Sequence, residues 1–171
     1  LKPIWGCLVV MDLDRFKEYA RERGLSVYEP NIVTGSLSSL VEGFVRKFQA
    51  VVVYGLDWDR GTEEVVLEIP GVEAVELKPD LIRVAEEVHG LGSSITIVAL
   101  TGYVSCVPAR DRREAYAGHY LRSKARDVLE SLKRRCGGVV YIDGVVVWSR
   151  VSLGAPQPPG CSLRSSSTSR V

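Results

Sequence analysis

Two pairs of aspartates sit where the chain must change direction: Asp12 and Asp14 at the end of an apolar run, and Asp57 and Asp59 between two further runs. Carboxylate oxygens are hard ligands, and Mg²⁺ needs only one or two of them when phosphate oxygens and water complete its shell. If the first run pairs with the later hairpin, these carboxylates meet at one sheet edge and can hold cations against a triphosphate. Each pair also has a plainer structural use. Asp14 can cap the helix that follows, and Asp57 and Asp59 can form an acidic turn with Arg60 and Gly61. Arg110, Arg112 and Arg113 form a basic run at a helix start, where backbone N–H groups also favour anions; the plainer use is a solvated charged face.

Other chemistry lacks its signature. His119 has no partner at metal spacing, and His89 falls near a helix end that suits its charge. Cys7, Cys106, Cys136 and Cys161 stand apart, with no C-x-x-C pair, which argues against zinc. Cys7 and Cys106 fall in strand patterns as small hydrophobes. Neither G-x-S-x-G nor G-x-x-x-x-G-K-[ST] occurs, so hydrolase-triad and P-loop chemistry have no footing.

The elements that must position these residues follow from apolar spacing. Gly6 to Asp12 is apolar at consecutive positions, as in a strand covered on both faces. Leu13, Phe16, Tyr19 and Ala20 recur at helical spacing, with Asp14 as the cap and Gly24 as the stop. A second helix follows Pro30, with Leu37, Leu40, Val41, Phe44, Val45 and Phe48 as its stripe and Thr34 or Ser36 as its cap. Ala50 to Trp58 and Glu63 to Ile69 predict a hairpin with Glu63 and Glu64 on an edge strand. Then come a helix from Pro79 to His89, a strand from Ser94 to Val107, and one long helix from Ala109 to Arg135. A hairpin of Val139 to Ile142 and Val145 to Trp148 turns at Asp143-Gly144. The expectation is one α/β (α+β) domain over residues 1–151, with a mixed, antiparallel-rich sheet flanked by helices. Residues 152–171 turn Ser-, Pro- and Arg-rich and are expected to be a disordered tail.

The run Asp12-Leu13-Asp14-Arg15-Phe16-Lys17 resembles the D-x-D-x-F-K segment of the GGDEF, or diguanylate cyclase, domain. Tyr54-Gly55-Leu56-Asp57-Trp58 sits where that family carries its signature hairpin, and Ala115 to Lys124 resembles its late helix. The element order agrees over nearly all of residues 6–148. The chain is similar to a wider nucleotidyl cyclase superfamily that includes the minimal CRISPR polymerases, the polymerase subunit of type III CRISPR effectors and archaeal GTP cyclohydrolase III. The resemblance implies a ferredoxin-like palm fold, in an archaeal stand-alone member, that takes GTP or ATP with Mg²⁺. It implies Asp12 and the Leu13 carbonyl as metal ligands, Asp57 as the catalytic hairpin carboxylate beside Asp12, and Asp14 and Asp59 as further metal candidates. Lys17 and Lys124 are implied as the nucleotide-binding cations. Ala20 stands where diguanylate cyclases carry a guanine-binding Asn, and the hairpin reads G-L-D-W, so their base specificity and product do not carry over. Besides a cyclase or oligonucleotide synthase, the resemblance admits a degenerate binding module and a ring-opening cyclohydrolase whose second palm comes from a homodimer.

The whole chain has 171 residues, 46% hydrophobic and 25% charged, with 22 Lys and Arg against 21 Asp and Glu. That is enough for a real core, and a net charge of +1 argues against a surface driven onto nucleic acid by bulk electrostatics. No run approaches the ~20 apolar residues of a membrane span and no secretory leader is evident, so the expected setting is cytoplasmic. A single Met, few Gln and abundant Val, Arg and Glu lean toward a thermophile.

Overall fold

A six-stranded sheet of order β2-β3-β1-β4-β5-β6 organises the chain. The computed structural model describes residues 2–135 and 137–154. Strand β1 is Ile4–Leu13, followed by helices α1 (Phe16–Glu22) and α2 (Ile32–Phe48). Strands β2 (Val51–Tyr54) and β3 (Glu64–Pro70) come next, then a 3₁₀ turn at Ala74–Leu77 that runs into α3 (Lys78–Gly90). After β4 (Ile95–Val104) come α4 (Arg112–Tyr116), α5 (Tyr120–Arg135), and the hairpin of β5 (Val139–Ile142) and β6 (Val145–Ser149).

The first four strands have the split β-α-β arrangement of ferredoxin-like folds: β3 lies between β2 and β1, antiparallel to both, and β4 closes the far side of β1 antiparallel to it. β5 joins parallel to β4 and β6 antiparallel to β5, which makes the sheet mixed but antiparallel-rich. Strand alternation splits the core in two. Cys7, Val9 and Met11 face α2 and α3, where Leu37, Val41, Leu81 and Val84 meet them. Leu8 and Val10 face α4 and α5, against Tyr116, Leu121, Ala125 and Leu129. Both faces of β1 are therefore covered, as its unbroken apolar run requires.

Several local expectations are corrected. Asp14 does not cap α1. Arg15 holds the N-cap position with φ 47°, and the Asp14 carboxylate accepts from Ser94 Oγ (2.7 Å), Thr96 Oγ1 (2.7 Å) and Gly138 N (2.8 Å). Asn31 caps α2, accepting from the Val33 and Thr34 amides in a capping box with Thr34. The long helix expected from Ala109 is broken, because Ala117 turns extended and Gly118 takes φ 74°. Strand β3 is interior rather than an edge. Most of the tail expected to be disordered, together with Cys136 and Cys161, lies outside the described residues. Among the described residues no helix is long and apolar enough to cross a membrane.

Candidate functional site

Register decides which acids meet. In the β1–β3 ladder Asp12 lies directly opposite Glu64, and on its other side opposite Thr96 of β4. Asp12 continues the Leu8–Val10 alternation, so its side chain stands on the face that α5 covers. There the Lys133 ammonium, near the C-terminal end of α5, donates to Asp12 Oδ2 (2.5 Å) and to the Leu13 carbonyl (3.0 Å), with Asp14 Oδ1 3.9 Å away. Two of the oxygens expected to hold a cation thus already converge on one, supplied by the chain itself. The Asp12 carboxyl is pushed up to about 6 by burial, against the pull of Lys133, with Glu64 and Asp14 adding repulsion.

Glu64 has partners of its own. Arg112 grips it with two nitrogens (Nε to Oε2 2.5 Å, Nη2 to Oε1 3.1 Å), and the Tyr116 hydroxyl donates to Oε1 at 2.7 Å. Burial first, and then the Glu64 charge, raise the Tyr116 hydroxyl, so it remains a donor. Arg112, expected on a solvated face, is one half of a fork–carboxylate pair.

The loop between β2 and β3 is built rather than loose. Ser38 of α2 bonds to the Asp57 carbonyl (3.0 Å) and to Thr62 Oγ1 (2.8 Å), pinning both arms of the loop to that helix. Gly61, at φ 84°, lies so close to Thr34 that a Cβ there would strike its side chain. The Asp57 carboxylate accepts from the amides of Asp59 (2.9 Å) and Arg60 (2.8 Å), the geometry of a turn-forming aspartate. Between this loop and α1 lies a cleft of about 560 Å³ lined by Lys17, Asp57, Arg60, Glu63, Glu64 and Arg112. That volume accommodates a nucleotide-sized ligand.

The expected residues therefore separate. Asp12, Leu13 and Asp14 gather at the end of β1, while Lys17 and Asp57 line the adjoining cleft, and Asp59 is exposed on its loop. Lys124 stands near the opposite end of α5 from Lys133, about 13 Å away at the helical rise per residue. Sequence reasoning missed Glu64 as the acid facing Asp12, and Lys133 as the helix cation at the site. The signal for Glu64 was its phase: Glu64, Val66 and Glu68 alternate with Val65 and Leu67, placing both acids on one covered face.

Among the described residues no three His, Cys, Asp or Glu side chains gather closely enough to hold a metal by themselves. The donor set does suit Mg²⁺ carried in with phosphates: one carboxylate and one carbonyl already aimed at a cation, a second carboxylate across the strand, and open cleft beside them.

No family model matches the chain, and no curated protein matches it. Among solved structures, that of the guanylyl cyclase Cya2 is similar over 82% of this chain and 75% of its own, at 14% identity and a TM-score of 0.44.

Proposed function

We propose that this chain is a palm-type domain that binds a nucleoside triphosphate, GTP or ATP, with Mg²⁺ at the Asp12 end of the sheet. One observation carries this reading: the Asp12 carboxylate and the Leu13 carbonyl converge on a single cation beside a cleft rimmed by Lys17, Arg60 and Arg112. Asp12, the Leu13 carbonyl and Glu64 are the residues that would hold the metal. Mg²⁺ bound there supplies neutralisation of phosphate charge and polarisation of the phosphoryl group. Lys17, Arg60 and Arg112 draw the triphosphate into the cleft, and Arg112 offers planar donors once a phosphate competes with Glu64 for them. Lys133, on a flexible four-carbon stem, can move from Asp12 to a phosphate oxygen when the metal enters. The chemistry that this arrangement would serve is attack of a ribose hydroxyl on the α-phosphate, with the α–β phosphoanhydride bond broken, the hydroxyl proton lost and pyrophosphate released, giving a cyclic or oligomeric nucleotide.

A second reading, binding without turnover, is favoured by the engagement of three carboxylates at the site: Asp12 by Lys133, Glu64 by Arg112 and Tyr116, and Asp57 by its own loop. Calorimetric titration of GTP and ATP, with and without Mg²⁺, into wild type and an Asp12→Asn, Glu64→Gln double variant tests both. Mg²⁺-dependent binding that falls at least tenfold in the variant supports the site, and no binding of either nucleotide overturns it. Chromatography of the incubated mixtures then separates the readings, since a new phosphodiester product favours catalysis and unchanged nucleotide favours the binding module.

A further inference from the structure

A second cleft, of about 470 Å³, opens at the start of α5, lined by Thr101 to Ser105 at the end of β4 and just past it, and by α5 residues including Tyr120 and Lys124. It holds a stretch of strand edge that no strand among the described residues covers. In β4 the even-numbered residues bond toward β1, because odd-numbered β1 residues face β3: the Trp5 carbonyl accepts from Gly71, and the Leu13 amide donates to Glu63. Odd-numbered β4 residues therefore point to the β5 side, as the Ala99 carbonyl and the Thr101 amide do in their bonds to Asp143. β5 pairs only with Ile97 to Ala99, and Asp143 takes the Thr101 amide. Beyond the end of β5 the outward groups are the Thr101 C=O and then the Tyr103 N–H and C=O, and both residues line the cleft.

A donor and an acceptor side by side on a rigid edge will pair with a group carrying the complementary pattern. The open stretch is short for strand addition by a peptide. At one end the Asp143 turn stops it, and at the other the chain leaves the sheet, where Cys106 N and Ser105 turn to Glu68 and Arg122. A small planar ligand fits this bounded length better. Tyr120, 82% exposed on the rim, offers a ring face for stacking. Lys124 is exposed, has no ion pair or hydrogen bond among the described residues, and stands on the same rim. The cleft floor is closed by the Glu68–Arg122 pair, whose charges satisfy each other.

We propose that this cleft is a second nucleotide site, separate from the Asp12 cleft, that takes an adenine nucleotide. The adenine edge, with acceptor N1 beside the N6 amino group, meets the Tyr103 N–H and C=O. Tyr120 stacks on the base and Lys124 pairs with the phosphate. Guanine presents a donor at N1 and an acceptor at O6, the reverse pattern, and meets the same two groups only when turned over, which carries its sugar and phosphate to the opposite side, away from Lys124. Nothing in this assignment depends on triphosphate binding at Asp12.

The experiment is titration of AMP, and separately GMP, into the ¹⁵N-labelled full chain, following backbone amides. The expected result is a saturable shift of the Tyr103 amide with AMP and none with GMP. Lys124→Glu weakens AMP at least tenfold and Tyr120→Ala about five- to tenfold, in line with the loss of one base–aromatic stack. Asp12→Asn leaves AMP affinity unchanged. Both rim residues are exposed, and circular dichroism of each variant verifies its fold. A Tyr103 amide that stays still at millimolar AMP overturns the assignment, as does an equal response to GMP, or an affinity that falls with Asp12→Asn but not with Lys124→Glu.

Discussion

Helix α5 carries a cation near each end, and each meets an acid on the same face of the sheet, yet the two ends differ in kind. Near the start, the Arg122 and Glu68 side chains are both about 2% exposed and amply bonded: Arg122 reaches Glu68, Ser105 and the Val107 carbonyl, while Glu68 also takes the Cys106 amide. At the other end, Lys133 and Asp12 keep 25% and 21% of their side-chain surface, and Asp12 feels Glu64 and Asp14 as well as its partner. A closed, saturated pair fixes one packing of the loop over the sheet. A half-open pair with competing charges is poised to exchange partners, which is what a ligand site requires.

Breaking the closed end has the largest expected effect. Arg122→Met leaves the Glu68 charge buried without its cation, and should cost about 3–5 kcal/mol in denaturant unfolding, most of it recovered when Glu68→Gln is added. If the single variant loses under 1 kcal/mol, the two ends are not different in kind.

The open end should show its strain through pH. The Asp12 carboxyl is raised from 3.8 to about 6 in the fold, so the native state binds the extra proton. Its contribution to stability is present below about pH 4 and is lost as pH rises through 6. At 1.36 kcal/mol per unit, this amounts to about 3 kcal/mol. Asp12→Asn should remove that slope and leave a flatter stability profile between pH 4 and 7, measured by urea midpoints at each pH. An unchanged slope would assign the effect to other groups. A smaller change sharpens the same contrast: Tyr116→Phe deletes one of the three bonds to Glu64 and should cost about 1 kcal/mol, because Arg112 still satisfies the carboxylate.

The order of elements was legible in the sequence, since alternation and helical spacing each show up within a few residues. The end of β1 was legible too, because an apolar run that stops in Asp-Leu-Asp leaves few places for the chain to turn. Partner choice across strands was not. Reading Ala50 to Trp58 as one strand placed Asp57 at a hairpin tip, whereas β2 ends at Tyr54, and the loop folds onto Ser38 before β3 begins at Glu64. Which acid then faces Asp12 depends on that docking, a contact distant in sequence. Lys133 was missed for a related reason. With α4 and α5 read as one helix from Ala109, the facing of its C-terminal turn could not be tracked through the break at Gly118. The Glu68–Arg122 pair left no local signal, because an acid in a strand and an arginine in a helix are individually unremarkable.

The knot at Asp14 bears on how the chain assembles. Its carboxylate joins the end of β1 to the starts of β4 and β5, through partners 80, 82 and 124 positions away in sequence. Closing such loops costs entropy before any of these bonds can form, so the knot belongs to the last stage of folding, after the central strands have paired. Asp14→Ala should therefore speed unfolding and leave the folding rate nearly unchanged, which the two arms of a chevron plot resolve. The acid-bearing turn that ends β1 is made before β4 and β5 yet is among the last to be locked, and the β1 end stays open to solvent and ions until β5 arrives.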